Sequence, residues 1–326
     1  MKTEKLFYSL KIVAILLFIK KIYLINSPQN YISLVEYLKK KDIKDKKIKL
    51  FVGFTSENSL KQIHEIHSSK IGIENELIFL QEIFIKEKIF FFLKICKVIK
   101  FNKSFCIIGD KKSPLSKYLY HRGKKIVFLD DGLNLLTFKD SDIKVKDYEL
   151  FSYFDLNTKK LFKNDFSYLK NQVQVNSIFD NCIWLLGTPA SNFGIIDKKT
   201  YSIIIKTFAE KFKDKKIFFF PHRDEKIEGI NFPKNIIINK NISEPIELYF
   251  SKQKTMPFLI AGFYTTALHI LSLLLNGKKI KLMNINFDIN FIKTSHLKEE
   301  HNLENLKEQY NLVKEILEKN NIKKFF

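Results

Sequence analysis

The chain has 326 residues, 45% of them apolar, with only 10 glycines and 7 prolines, so it is globular and long enough to bury two ordinary cores. Its three cysteines, Cys96, Cys106 and Cys182, have neither paired nor zinc-binding spacing, which argues against a disulfide framework and favours the cytoplasm. The formal net charge is +21, but its lysines are scattered and no helix-turn-helix, zinc-finger or RNA-stacking pattern accompanies them. We therefore expect no nucleic-acid partner, and we expect attraction to an anionic membrane surface or glycolipid.

Residues 1–20 form an apolar segment that precedes the first predicted strand. Leu6–Ile19 is apolar except for three residues, and two lysines follow at once, so the run is shorter than the roughly 20 residues of a membrane-spanning helix. The residues after it make a poor signal-cleavage site. Either the segment lies in the membrane interface, which we favour, or it packs as an extra helix on the first domain. The favoured interpretation predicts a cytoplasmic protein associated peripherally with the inner membrane.

Short β-branched or aromatic runs alternate with amphipathic stretches through the first half of the chain. The predicted strands are Lys21–Asn26, Ile48–Phe54, Leu77–Leu80, Ser104–Gly109 and Lys125–Leu129. The predicted helices between them are Tyr31–Lys40, Leu60–Ser68, Ile83–Ile99 and Leu115–Tyr120. This alternation predicts a parallel sheet with helices on both faces. The polar, weakly periodic stretch Ser141–Gln174 is predicted to be an irregular connector, and a domain boundary is expected near it.

The second half repeats the alternation. Its predicted strands are Cys182–Leu186, Lys216–Phe220, Asn235–Asn239, Phe258–Gly262 and Lys279–Asn284. Its predicted helices are Lys198–Phe212, Pro245–Lys252, Thr266–Leu275 and Ser295–Asn320. The α/β pattern thus predicts two doubly wound, Rossmann-like domains, 21–174 and 175–294. The segment 295–326 is expected to form a closing helix that is longer than a crossover requires and is long enough to reach back across the first domain.

Three polar motifs follow predicted strands of these two sheets. They are Asp130-Asp131-Gly132, Pro221-His222-Arg223 and Thr265-Thr266. Ligands of open α/β sheets bind outside the carboxyl ends of the strands, so polar groups collected there are the default candidates for chemistry. A carboxylate pair can take a proton, and the other two motifs can hold an anion from two sides. The combination indicates an enzyme that transfers a group from a phosphate-bearing donor.

Each motif also has a structural interpretation. Asp-Gly after a strand is ordinary turn chemistry, although two adjacent carboxylates raise at least one pKa and so suit a general base. His222 alone could be a core histidine, whereas Arg223, one of only two arginines in the chain, suits an anion because its planar fork binds in a bidentate manner. Thr265 and Thr266 are expected to cap the helix that follows, and the same helix start could receive a phosphate.

Taken together, the three motifs and the residues around them resemble the bacterial GT-B sialyltransferases. These are the lipooligosaccharide sialyltransferases of glycosyltransferase family 52 and the related capsule polysialyltransferases. The resemblance rests on an acidic-acidic-Gly motif, a His-Pro-like motif and a Ser/Thr pair in this order. It covers about residues 21 to 290 and is carried by five runs, Asn26–Gln29, Phe128–Asn134, Leu185–Pro189, Phe219–Glu225 and Gly262–Leu268. The chain has His222-Arg223 where many members have His-Pro, a variant associated more with the capsule branch.

The resemblance implies two Rossmann-like domains facing a cleft that binds a CMP-activated nonulosonic acid. It implies that Asp131, with Asp130 beside it, deprotonates an acceptor hydroxyl and that His222 holds or protonates the phosphate of CMP. The implied donor-binding residues are Arg223, Glu247, Thr265, Thr266, Gly262 and Ser27, with Glu247 at the cytidine ribose. No cofactor and no metal is implied, because a nucleoside monophosphate leaving group needs no diphosphate clamp. The partners implied are the CMP-sugar donor and a glycan or glycolipid acceptor; a homodimer is left open.

Weaker candidates and alternatives remain open from sequence. His64 and His67, at positions i and i+3 of a predicted helix, could ligate a metal, but a solvated helix face is favoured. Asp197 is a reserve general base, and His121-Arg122 is expected to cap a helix end. The alternatives to a sialyltransferase are a GT-B transferase with another nucleotide-sugar donor and a non-catalytic glycan-binding protein of a capsule assembly complex.

Overall fold

The computed structural model describes residues 21–43, 48–53, 55–69, 75–79, 103–111, 113, 116–117, 123–130, 132, 135–136, 147–240, 242–286 and 303–325. The chain divides into two compact units, residues 1–168 and 169–326. Each unit contains one parallel β-sheet with helices. The predicted α/β class with two parallel sheets is therefore confirmed.

The sheet of the first unit has seven strands in the order β3-β2-β1-β4-β5-β6-β7, and all neighbouring pairs are parallel. The strands are β1 Lys21–Ile25, β2 Ile48–Val52, β3 Asn75–Phe79, β4 Lys103–Ile108, β5 Gly123–Leu129, β6 Asp147–Ser152 and β7 Leu161–Lys163. The first five were predicted, with ends that differ by a few residues.

Strands β6 and β7 correct the prediction that Ser141–Gln174 is an irregular connector. Both add to the sheet beyond β5, and β6 buries Leu150 and Phe151 against it. The pattern is weak because β7 has only three half-buried residues at the sheet edge. An edge strand is stabilised by its pairing with a neighbour more than by its own hydrophobicity, so its sequence carries little signal.

Three helices belong to the described part of the first unit or to its boundary: α1 Pro28–Lys40, α2 Glu57–Ser68 and α3 Ser167–Lys170. Helix α1 begins three residues earlier than predicted because Ser27 caps it, accepting a hydrogen bond from the backbone N–H of Asn30 at 3.1 Å, and Pro28 suits the first helical position. The predicted helix Ile83–Ile99 lies outside the described residues, as do residues 1–20. Of Leu115–Tyr120 only residues 116 and 117 are described, and both are helical.

The sheet of the second unit has six strands in the order β10-β9-β8-β11-β12-β13, again all parallel. The strands are β8 Ser177–Leu186, β9 Lys216–Phe220, β10 Ile236–Ile238, β11 Thr255–Gly262, β12 Lys281–Ile285 and β13 Lys323–Phe325. Its helices are α4 Lys198–Lys211, α5 Ile246–Ser251, α6 Thr266–Leu274 and α7 Leu303–Lys319. Strand β13, a short edge strand that pairs with β12, was not predicted. Two of its three residues are lysines, so its sequence lacks the apolar pattern of a strand.

The described part of the closing helix packs within the second unit. Tyr310 of α7 lies against Tyr264, with ring centroids 3.7 Å apart, and Val313 and Leu317 are buried. Residues 295–302 of the predicted helix lie outside the described residues.

Both sheets share one strand order. Counted in chain order within each unit, the first five strands lie as 3-2-1-4-5, which is the order of doubly wound nucleotide-binding sheets. The order reverses between β1 and β4 in the first sheet and between β8 and β11 in the second. Loops that leave the carboxyl ends of these strands diverge to opposite faces, and this divergence opens a crevice for ligands.

Candidate functional site

Asp130 lies at the carboxyl end of β5 and is completely buried. Its carboxylate accepts hydrogen bonds from the backbone N–H of Tyr153 at 3.1 Å and from Nδ2 of Asn164 at 3.2 Å. Burial raises the pKa of Asp130 to about 7, while hydrogen bonds from Ser152, Asn164 and Tyr153 and the charge of Lys163 oppose the shift. The carboxyl therefore titrates close to neutral pH.

The partners of Asp130 come from two other strand ends of the first sheet and from helix α1. Tyr153 directly follows β6, Asn164 directly follows β7, and the backbone oxygen of Asp130 accepts a hydrogen bond of 2.6 Å from Nδ2 of Asn30 on α1. Asp130 thus ties β5, β6, β7 and α1 together at one edge of the sheet. Asp131, the residue predicted to act as the base, lies outside the described residues, and Gly132 follows it with a φ of +54°.

Two glycines, at the ends of the strands β2 and β4 that flank β1, allow amide side chains to lie against the sheet. A Cβ on Gly53 would overlap the side chain of Asn26, and a Cβ on Gly109 would overlap that of Asn30. Asn30 also accepts a hydrogen bond of 3.1 Å from the backbone N–H of Asn26. Ser27, predicted to bind the donor, lies in this group and uses its hydroxyl to cap α1. The resulting cluster of amides lies where the strand order of the first sheet reverses.

His222 and Arg223 lie in a tight turn directly after β9. The backbone N–H of Glu225 donates to the carbonyl of His222 at 2.8 Å, which closes the turn. About a third of each side chain is exposed, 33% for His222 and 31% for Arg223. Asp224 follows Arg223 in the same turn, and its carboxylate lies 3.5 Å from Nε of Arg223. The pair is therefore fixed in position and accessible from solvent.

The protonation state of His222 follows from its surroundings. The backbone N–H of Asp224 donates to Nδ1 of His222 at 3.2 Å, so the ring proton of the neutral form is on Nε2. Burial and the charge of Arg223 lower the pKa of His222 to about 4, against the opposing charge of Asp224. At neutral pH the imidazole is uncharged and offers one N–H donor.

Glu225 is a residue that the sequence analysis did not select, and it holds the turn in place. Its carboxylate accepts 2.9 Å hydrogen bonds from the backbone N–H of His222 and from the hydroxyl of Tyr201 on α4. Burial raises the pKa of Glu225 to about 7, although these hydrogen bonds oppose the shift. A Cβ on Gly187, directly after β8, would overlap this carboxylate. A carboxylate three residues after a histidine at a strand end was the available signal, since such spacing closes a turn.

Glu247 lies in the first turn of α5 and is only 9% exposed. Burial raises its pKa, and the hydrogen bond from its own backbone N–H and the positive charge of Arg223 oppose the shift. The electrostatic interaction places Arg223 and Glu247, which are 24 residues apart in sequence, in the same local environment. The charge of Arg223, which follows β9, therefore acts on a buried carboxyl within its electrostatic range.

Thr265 caps α6 as predicted: its hydroxyl accepts a hydrogen bond of 3.2 Å from the backbone N–H of Ala267. Thr266 begins the helix. The preceding residue, Tyr264, has a φ of +42° and donates its N–H to the side chain of Asn284 at 2.9 Å. A Cβ on Gly262 would lie 3.0 Å from Thr265 and 3.3 Å from Leu186, so glycine permits close packing where β11 meets β8.

The motifs of the second unit both lie at the carboxyl ends of strands in its sheet, but the two strands that they follow are not adjacent. His222 and Arg223 follow β9, the threonine pair follows β11, and β8 lies between the two strands. With strands about 4.8 Å apart, the ends of β9 and β11 are separated by roughly 10 Å. A ligand that contacts both motifs must therefore extend across the end of β8, where Gly187 and Thr188 lie.

The weaker candidates have structural partners. His64 stacks on Phe79 with centroids 4.5 Å apart, and Nδ1 of His67 lies 3.2 Å from the hydroxyl of Tyr31. Burial and then His64 lower the pKa of His67. Asp197 caps α4, and its two carboxylate oxygens each accept a 2.8 Å hydrogen bond from Thr200. His121 and Arg122 lie outside the described residues.

In the part of the chain that the structure describes, no three His, Cys, Asp or Glu side chains are grouped as metal ligands would be. No described helix is both long enough and apolar enough to cross a membrane.

Comparisons of the chain with models of known protein families and with curated proteins find no match.

Proposed function

We propose that the protein is an inverting GT-B glycosyltransferase that moves a sialic acid or related nonulosonic acid from a CMP-activated donor to a sugar hydroxyl of a surface glycan. The observation that carries the proposal is the turn after β9, which presents His222 and Arg223 to solvent within electrostatic range of the buried carboxyl of Glu247. A cation and a carboxylate acceptor in the same region suit a nucleoside monophosphate, which offers a phosphate and ribose hydroxyls. The start of the Thr265-capped helix, at the carboxyl ends of the strands of the same sheet, adds the positive end of a helix dipole.

In this proposal the second unit binds the donor. Arg223 and the N–H on Nε2 of His222 contact the phosphate, and the carboxylate of Glu247 accepts hydrogen bonds from the ribose. Glu225 does not contact the donor; it holds the turn that presents His222 and Arg223. The backbone at the start of α6 contacts the far side of the donor, since an extended ligand spans the roughly 10 Å between the ends of β9 and β11.

The first unit supplies the acceptor side and the base. The oxygen of the acceptor hydroxyl bonds to the anomeric carbon of the donor sugar, and Asp131 takes the proton of that hydroxyl. The bond from that carbon to the phosphate oxygen breaks on the opposite face, and its electron pair leaves with CMP. Asp130 orients the strand end from which Asp131 follows, because its own carboxylate is fully engaged with backbone and amide donors.

Binding of the phosphate changes the state of His222. The free protein holds this imidazole neutral, with its pKa lowered to about 4. A bound phosphate brings negative charge close to the ring and raises that pKa. A protonated His222 would neutralise the charge that develops on CMP as it leaves, so proton uptake at this residue would assist departure of the leaving group.

Nucleotide binding and donor breakdown test the proposal. Purified full-length protein is titrated calorimetrically with CMP, UDP and GDP, and we expect affinity for CMP alone. The protein is then incubated with CMP-sialic acid, UDP-sugars and GDP-sugars, and release of the nucleotide is followed, with and without excess EDTA. CMP release that persists in EDTA is expected, because the side chains of His222 and Arg223 hold the phosphate without a metal. Release of UDP or GDP, or an absolute need for magnesium or manganese, would favour a transferase with another donor.

One observation favours the non-catalytic alternative, a glycan-binding protein of a capsule assembly complex. Asp130 is buried and fully hydrogen-bonded, so only Asp131 of the acidic pair remains for catalysis. If CMP binds but no glycan acceptor and no water ever receives the sugar, this alternative replaces the transferase. Glycan-array binding by the same protein would then identify the ligand.

A further inference from the structure

A groove of about 680 Å³ runs along the outward face of α4 and the segment 229–235 of the second unit. The groove, called the α4 groove below, is separate from the residues proposed to bind the donor. It is lined by lysines and by apolar side chains, among them Lys198, Lys199, Lys206, Lys213, Ile203 and Phe232.

The groove is more basic than the chain as a whole. Four of its thirteen lining residues are lysine, about twice the share of lysine in the sequence, and Glu210 is its one acidic residue. Glu210 lies 3.7 Å from Nζ of Lys206. Lys199 and Lys213 have no ion-pair partner among the described residues. The excess of positive charge is therefore local and is not neutralised by the described protein around it.

An exposed apolar side chain lies among these lysines. Ile203 is 55% exposed, and it follows Lys199 by four residues and precedes Lys206 by three, so all three share one face of α4. Phe232 and Pro233 line the opposite wall. Ile203 thus exposes a large aliphatic side chain beside Lys199, which has no ion-pair partner among the described residues, and this combination suits a partner that is both anionic and apolar.

The groove is preformed. The backbone N–H of Asn231 donates to Oγ of Ser202 at 3.1 Å, and Nδ2 of Asn235 donates to the carbonyl of Ala209 at 3.2 Å. Nζ of Lys198 donates to the carbonyl of Glu228 at 2.6 Å. These bonds hold the two walls together, so the backbone of the groove needs no rearrangement when a partner binds.

We propose that the α4 groove is the surface by which the protein contacts an anionic phospholipid bilayer. The lysines pair with lipid phosphates while Ile203 enters the boundary between headgroups and acyl chains. A bilayer fits better than a soluble acidic polymer, because a polymer offers Ile203 no apolar environment. This inference concerns a different surface from the donor site, so it holds or fails independently of the transferase proposal.

Vesicle binding tests the inference. Full-length protein is sedimented with vesicles of equal parts phosphatidylglycerol and phosphatidylcholine, and with phosphatidylcholine alone. Each lysine near an anionic surface contributes roughly a five-fold gain in partitioning, so Lys199→Glu with Lys213→Glu should weaken binding to the anionic vesicles about 20-fold or more. Ile203→Ser should weaken it by a smaller factor that persists at high salt, where the lysine contribution is screened.

The control is Lys278→Glu with Lys279→Glu, which makes the same charge change at exposed positions of the second unit outside the groove. It should alter vesicle binding by less than about three-fold. Thermal melting and CMP binding of both double variants should match the parent protein. Equal losses in the groove and control variants, or unchanged binding in the groove variant, would overturn the inference. So would loss of binding to a soluble polyanion such as heparin with vesicle binding intact.

Discussion

Each of the two sheets has a carboxyl group with a raised pKa just beyond the carboxyl end of one of its strands, but the two groups have different roles. Burial raises the pKa to about 7 in both, Asp130 after β5 and Glu225 after β9. Asp130 is bound by amide and backbone donors that are themselves buried, and no part of it reaches solvent. Glu225 instead fixes the turn that contains two basic side chains, His222 and Arg223. Each of these side chains is about a third exposed. Asp130 therefore joins strand ends within the sheet, whereas the half-buried Glu225 holds a turn that presents two basic side chains.

Glycines support both arrangements in the same way. Gly109 gives room for Asn30 in the first unit, and Gly187 gives room for Glu225 in the second. In each case the missing Cβ lets a polar side chain approach the end of a central strand. The two sites therefore differ in the partners of Asp130 and Glu225 and not in the backbone around these residues.

The largest effect is expected from removing the better-buried acid. Asp130→Ala leaves the N–H of Tyr153 and the Nδ2 of Asn164 without their acceptor in a fully buried site, which should lower the free energy of unfolding of the first unit by roughly 3–5 kcal/mol. Glu225→Ala should cost the second unit less, because His222 and its turn can reach water. Hydrogen exchange resolves the two units. The matched control is Glu57→Ala, whose side chain is 81% exposed and should change stability by less than about 1 kcal/mol. Equal effects of Asp130→Ala and Glu57→Ala would contradict the structural role.

The neighbouring carboxyl should behave in the opposite manner. Asp131→Asn is expected to lower the rate of sugar transfer roughly 100-fold or more, since a general base is lost, while CMP affinity and thermal stability stay close to those of the parent. Single-turnover transfer assays and CMP titrations measure the two quantities. Near-normal turnover in this variant would refute the assignment of the base.

On the second sheet edge, His222→Ala and Arg223→Ala should each weaken CMP binding by roughly tenfold, because a charge-assisted contact to phosphate is worth about 1.5–3 kcal/mol. Lys226→Ala, an exposed lysine just beyond the same turn, serves as the control and should change affinity by less than two- to three-fold. Combining Arg223→Ala with Thr265→Val and Thr266→Val should give non-additive losses if the groups share one ligand. Calorimetry decides; unchanged affinity in both single variants would mean that CMP binds elsewhere.

The smallest effect concerns pH. The folded-state pKa values of Asp130 and Glu225 are raised from 3.8 and 4.5 to about 7, so between about pH 4 and 7 the folded chain holds more protons than the unfolded chain. Lowering the pH through this window should therefore increase the free energy of unfolding. His222 opposes the trend, because its pKa is lowered from 6.5 to about 4 and the unfolded chain binds the extra proton.

Glu225→Gln and His222→Gln separate these contributions. Thermal melting between pH 7.5 and 5 should show a flatter pH dependence in Glu225→Gln and a stronger gain at low pH in His222→Gln. A parent protein that loses stability steadily as the pH falls from 7 to 5, with no change in either variant, would contradict the assigned shifts.

Several features of this protein could be predicted from the sequence because their physical causes are local. The apolar runs of β1, β5, β9 and β11 carry their own burial signal. Thr265 caps the helix that follows it, as predicted, because a hydroxyl at a helix start needs only the next two or three residues. Ser27 caps α1 for the same local reason, although the sequence analysis assigned it to the donor and began that helix at Tyr31. The polar motifs were found because they directly follow such runs in the chain.

Other features were decided by the tertiary structure. Strands β7 and β13 have three residues each and lie at sheet edges, where pairing with β6 and β12 stabilises them. The complete burial of Asp130 depends on donors from residues 153 and 164, and the role of Glu225 depends on Tyr201 and on the missing side chain of Gly187. A strand or a cap is specified by residues close in sequence, whereas a buried acid acquires its pKa and its partners only when distant strand ends meet.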